Sequence, residues 1–226
     1  MDSQIKELLK NQDNAELIRD RIAAILKLEF TNQKKLADNE VELLNKKDFD
    51  IKVYLENSRP WEGLNANNNP FPLVNVCLQE TTEDDKPGAT VGKIKYTGTY
   101  YIDCYGCGNY QPENENIPDD TLAAKRAWQT ARITRNILMS GFYVFLGMQG
   151  IVRRRRITKI TTVIPNALQD SAIAIIACRI IFQVEFHETS PEAEGVDFEG
   201  ISFISKNDGE VELINIMTDN AKEKTN

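Results

Sequence analysis

The sequence predicts an α+β protein: an antiparallel or mixed β-sheet packed by a long helix and an N-terminal helix, with a C-terminal β-hairpin extension. Three observations carry that prediction. Two segments repeat apolar residues at three- and four-residue spacings, the signature of helices with one buried face. Several others alternate apolar and polar residues with the two-residue period of a strand. The links between the alternating segments are short and rich in turn residues, which suits antiparallel neighbours better than helical crossovers.

The N-terminal helix is expected in "NAELIRDRIAAILKLEF", where Leu17, Ile18, Ile22, Ile25, Leu26 and Phe30 share a face and Asp13 or Asn14 serves as cap. "TNQKKLADNEVELLNKK" is more polar and reads as a second, surface helix. "FDIKVYLE" alternates Phe49, Ile51, Val53 and Leu55 against polar residues, a strand with one buried face. "NSRPWEGLNANNNPFP", with three prolines and a run of asparagines, is a long loop. "LVNVCLQE" and "GKIKYTGTYYIDCYG" follow as strands across the turn "TTEDDKPGA".

The main helix is expected in "DDTLAAKRAWQTARITRNILMSGFYVFLG", started by Asp119 and Asp120 and stopped by Gly147. Ala124, Ala127, Ala131, Leu138, Phe142 and Phe145 mark its apolar stripe, and the small residues early in it would let the helix lie close to a sheet. "GIVRRRRITKITTVIP" and "AIAIIACRIIFQVEFHE" form an antiparallel pair, and "FEGISFIS", "KNDGE" and "VELINIM" read as a further hairpin in the tail. The chain thus divides into an N-terminal helical segment (1–48), an α/β core (49–190) and an acidic extension (191–226), in which Val196 to Met217 holds the hairpin.

With 226 residues, 41% hydrophobic and 27% charged, the chain has enough material for one sizeable core. No apolar run approaches the roughly 18 residues that cross a bilayer. "MDSQIKELLK" lacks the layout of a secretory signal, so synthesis and function in a cytoplasm are expected, with no membrane partner. From Glu185 to Asn226 there are eleven Asp or Glu against three Lys or Arg, an acidic appendage suited to solubility or to pairing with a basic surface. Cys77 and Cys178 sit in apolar runs and read as core residues. "CYGC" (Cys104, Cys107) precedes a polar loop and not a helix, which disfavours a redox pair, and a lone His187 gives no second ligand pair for zinc. No nucleophile elbow, H-E-x-x-H or phosphate loop occurs, so neither catalysis nor a cofactor is expected, with Cys104 and Cys107 kept as the one enzymatic alternative.

"IVRRRRITKI" is the anomaly, with four arginines inside a strand pattern in a chain of net charge −7. On a pleat the run splits, Arg153 and Arg155 to one side and Arg154 and Arg156 to the other. Two guanidinium groups then lie near a core and must be paired or reach its rim, because an unpaired buried charge costs several kcal/mol. A subunit in a ring can give one pair to a neighbour's carboxylates and turn the other to a lumen. Two alternatives stay open. The strand projects with all four arginines solvated, or it binds nucleic acid directly, against which the pI of about 5.0 argues.

Four stretches in this order resemble the tail terminator proteins of long-tailed bacteriophages: "ELIRDRIAAILKLEF", "ENSRPWE" ahead of "PLVNVCLQE", "AAKRAWQTARITRNILMSGFYVFLG", and the final strands around "RRRRITKI" and "CRIIFQVEFHE". Head-completion and neck proteins share much of the pattern. The resemblance implies a homo-oligomeric ring of about six subunits that ends the tail tube, meets the neck or collar, and lets DNA pass, while the acidic hairpin, Val196 to Met217, exceeds the family core and is the part expected to contact sheath, tube or collar. It further implies residence in the virion after assembly in the host cytoplasm. Arg153, Arg154, Arg155, Arg156 and Lys159 would then line the lumen or a subunit interface. Arg59, Pro60 and Trp61 would meet a partner, with Trp61 as rigid anchor, unless Trp61 packs over its own core.

Overall fold

A computed structural model describes residues 12–39, 46–61, 72–84, 93–108, 118–165 and 174–189. Among the described residues there are two helices on one face of a five-stranded mixed sheet. The elements are helix α1 (Asn14–Asn39), a 3-10 turn (Lys46–Phe49), strands β1 (Lys52–Leu55), β2 (Leu73–Glu83) and β3 (Lys93–Gly108), helix α2 (Asp119–Met139), a second 3-10 turn (Gly141–Tyr143), and strands β4 (Val152–Val163) and β5 (Ala174–Thr189). The sheet order is β1-β2-β3-β5-β4, so β1 and β4 are its edges among the described strands. The hairpin expected within 196–217 lies outside the described residues. Among the described residues no helix is long and apolar enough to cross a membrane.

Alternation sorts the sheet into a face covered by the two helices and an opposite, open face on which no described helix packs. Val74, Val76, Tyr100, Ile102, Cys104, Cys178, Ile180, Phe182, Val184 and Phe186 point to the helices and are fully buried with Ile18, Ile22, Leu26 and Phe30 of α1. Tyr100, the largest of them, keeps its hydroxyl satisfied by donating to the Ala15 carbonyl at 2.9 Å. Tight approach explains the small residues of α2: a Cβ on Gly106 would meet the Ala123 carbonyl oxygen and the Ala127 nitrogen at 2.4 Å. Ala123, Ala127 and Ala131 therefore carry the stripe, together with Leu122 and Leu138.

Several expectations need correction. Of the segment 31–47 expected as a second helix, residues 31–39 continue α1, 46–47 open the 3-10 turn, and 40–45 lie outside the described residues. The strand expected at 49–56 is shorter: Phe49 closes the 3-10 turn, and Lys52–Leu55 pairs parallel with β2, Lys52 opposite Leu73. A parallel edge strand needs a long return path, and residues 56–72 supply it. Helix α2 stops at Met139, eight residues short of Gly147. Ser140 leaves helical space at ψ 138 and its hydroxyl accepts from the Phe142 amide at 3.3 Å, so a Ser-Gly pair ends the helix. Phe142 and Phe145, assigned to the buried stripe, are consequently exposed.

Candidate interaction surface

Strand β4 carries five cations and no carboxylate. It pairs only with β5 among the described strands, antiparallel, with register shifts between Val152 and Arg154 and between Ile157 and Lys159. Each shift adds one residue, a bulge, and resets which face the following side chains take. Arg154 lies opposite Glu185 and Arg156 opposite Gln183, both on the open face, while Arg155 lies opposite buried Val184 on the helix face. The expected split of Arg154 and Arg156 from Arg155 therefore holds. Arg153, expected to share the face of Arg155, falls in the first bulge, outside the regular register, and is exposed. The second bulge, at Thr158, puts Ile157 and Ile160 together against the core, where simple alternation sends them to opposite faces.

Each arginine meets different chemistry. Arg155 Nη2 donates to the Ser140 carbonyl at 2.6 Å, and its Nε donates to the carbonyls of Tyr143 at 2.8 Å and Val144 at 3.2 Å. Those oxygens follow the C-terminal end of α2, where the helix dipole is negative and carbonyls lack intrahelical donors. The Ser140 and Tyr143 oxygens also accept the amides of Tyr143 and Leu146 at 3.0 Å, so the guanidinium adds to the turn that follows the helix and ties it to a neighbouring strand. Partial burial lowers the Arg155 pKa from its ordinary value, while the carbonyls satisfy its donors. Arg156 donates to Gln183 Oε1 at 2.8 and 3.0 Å, a neutral partner. Arg154 reaches Glu185 only at 3.9 Å, with 64% of its side chain exposed, a pair of little energetic weight. Lys159 is exposed.

On the open face Arg154 and Arg156 border a groove of about 460 Å³ with Glu80, Glu83, Asp84, Lys95 and Glu185. Lys95 bridges Asp84 at 2.5 Å and Glu185 at 3.5 Å, and the hydrogen bond to Asp84 raises its pKa. The middle of the face holds Arg179, paired in a bidentate fork with buried Asp103 at 2.7 and 2.8 Å and stacked 4.4 Å over the Tyr101 ring. The far end is a small apolar cluster of Leu73, Tyr105, Cys107, Ile175 and Ala177.

Trp61 belongs to that cluster, 6.2 Å from Tyr105 between ring centroids, so it covers its own sheet. Pro60 is buried beside it and Arg59 is exposed. Asn75 fixes this segment: its amide donates to the Asn57 carbonyl at 2.9 Å and its Oδ1 accepts from the Asn57 amide at 3.1 Å. Trp61 and the arginines are thus on separate parts of the fold. All four cysteines are free thiols, Cys104, Cys107 and Cys178 buried; burial pushes Cys107 and Cys178 up to about 11 and Cys77 up to about 12. Among the described residues no group of three or more His, Cys, Asp or Glu could hold a metal ion.

One surface went unanticipated. Residues 140–151 form a ledge held by Arg155, by Arg21 Nε donating to the Leu146 carbonyl at 2.8 Å, and by Tyr143 Oη donating to Glu29 at 2.5 Å. Tyr143, Leu146 and Met148 turn inward, while Phe142, Val144 and Phe145 turn out. The only sequence signal was "SG" inside an otherwise helical pattern. Neither the known protein-family models nor the curated proteins yield a match to this chain.

Proposed function

We propose that this chain is a structural ring subunit of the phage tail terminator or neck type, which closes with about five further copies around a passage for DNA. The observation that carries the reading is the cationic strand at the edge of the sheet among the described strands. Strand β4 ends the sheet, and four of its five cations, Arg153, Arg154, Arg156 and Lys159, are exposed. A head-to-tail ring uses two different surfaces of each copy, and an edge strand beside an open sheet face provides one of them. In that setting the fork of Arg154 and Arg156 takes carboxylates of a neighbour or faces phosphates across the lumen. A protein through which DNA merely passes needs no basic excess, so the net charge of −7 fits the reading.

Sedimentation over a range of concentrations tests it. The wild-type chain is expected to form a closed species of about six copies, and the combined change of Arg153, Arg154 and Arg156 to Ala to shift the population toward monomer. Monomers at every concentration, with the substitutions without effect, would overturn it. A second reading, direct binding of nucleic acid, is favoured by the same four exposed cations along one edge. It predicts affinity that falls with log salt at a slope of roughly −0.9 per phosphate neutralised, in a protein that stays monomeric.

A further inference from the structure

The outward side of α2 is a face without a partner among the described elements. Lys125, Trp128, Arg132, Arg135 and Met139 recur at alternating three- and four-residue steps, hence in one stripe, and all five are exposed. Trp128 and Met139 expose 46% and 44% of their surface, and the stripe runs on into the ledge through Phe142 at 85%. From Thr121 to Met139 the helix has no acidic residue. The face is therefore apolar and basic at once. It is also held firmly, through the clamp of Arg155 at the helix end and the anchoring of the ledge by Arg21 and Tyr143. A surface that sets exposed Trp128, Met139 and Phe142 among three cations on an anchored support suits a segment carrying both apolar and acidic groups.

We propose that its occupant is this chain's own C-terminal segment, residues 190–226, bound within the same molecule. Charge is the first argument: the segment holds nine Asp or Glu against three Lys, opposite a face whose charged residues are Lys125, Arg132 and Arg135. Pattern is the second. Val196, Phe198, Ile201 and Phe203 are interleaved with Asp197 and Glu199, and Val211, Leu213 and Ile214 with Glu210 and Glu212, so the segment offers apolar and acidic groups side by side, as the face demands. Reach is the third, because a chain extends roughly 3.3 Å per residue, and residues 190–226 leave from Thr189 on β5, a strand against which α2 packs. Tethering supplies an effective concentration on the order of millimolar, which a free partner must exceed. The inference does not rest on the ring reading, which concerns β4.

Trp128 provides the readout. The chain has two tryptophans, so Trp61→Phe in the full-length protein leaves Trp128 alone to report. With the segment docked, its emission resists acrylamide in dilute, low-salt buffer. Quenching is expected to rise about threefold in salt near 0.5 M, where charges are screened beyond a few ångströms. The same rise is expected after combined neutralisation of Glu192, Glu194, Asp197, Glu199, Glu210 and Glu212 to their amides. A second variant, Arg132→Gln with Arg135→Gln, removes charge from the other partner on exposed positions and should give the same release. Quenching that is high from the outset, or unmoved by salt and by both variants, overturns the proposal. Protection that disappears on roughly hundredfold dilution assigns the face to a second copy and overturns it as well.

Discussion

Arg155 and Arg153 stand two residues apart in one strand and do different work. Arg155 ties the carbonyls of Ser140, Tyr143 and Val144 to β4, and since Ser140 and Tyr143 also accept the amides of Tyr143 and Leu146, Arg155→Met should cost about 1 kcal/mol in urea unfolding. Arg153→Ala, at an exposed bulge position, should change stability by no more than about 0.5 kcal/mol. Equal effects from the two would contradict the distinction. The cysteines add a pH dependence. Burial raises the thiol pKa values of Cys107 and Cys178 from an ordinary 9.0 to about 11, so the native state holds protons there that the unfolded chain has lost. Their contribution is fully present below pH 9 and fades as pH rises toward 11, which makes stability fall over that window. Replacing both by Ala should lessen this decline in denaturation midpoints measured from pH 8 upward, leaving the part due to Cys77 and to buried Cys104.

At the level of elements, the close seating of α2 on β3 is the most demanding contact. Gly106→Ala would drive a methyl into the backbone of Ala123 and Ala127, an overpacking worth about 1–3 kcal/mol, whereas Gly141→Ala, with open space around the added atom, should be mild by the same thermal-unfolding measurement. The presence of α1, α2 and the long strands was legible from periodicity, because one-sided burial imposes it on the sequence. Their ends were not. Helix α2 was extended through Phe142 and Phe145 because apolar spacing continues past Met139, while the stop depends on Ser140 and on a guanidinium delivered from β4. The bulges of β4 left no mark either: Ile157 and Ile160 lie three apart and share a face only because Thr158 is an extra residue in the ladder. The bulges and cations of β4 also serve a simpler end, since a twisted, charged edge resists unspecific pairing with other strands.

At the level of the whole molecule, the helices cover one face of the sheet and leave on the other a graded surface: the Trp61 cluster, the Asp103–Arg179 fork, and the mixed-charge groove under Arg154 and Arg156. Composition foretold one core. It was silent on the open face, because residues such as Asp103 and Arg179, 76 positions apart, find each other only through strand register. The proposed ring makes that face and the edge beside it the means by which copies meet, and electron microscopy of the purified, negatively stained protein tests this most directly. Closed rings of about six subunits around a hole that admits duplex DNA are the predicted result. Fields of single small particles with no closed assembly, at concentrations well above those of a cell, would contradict it.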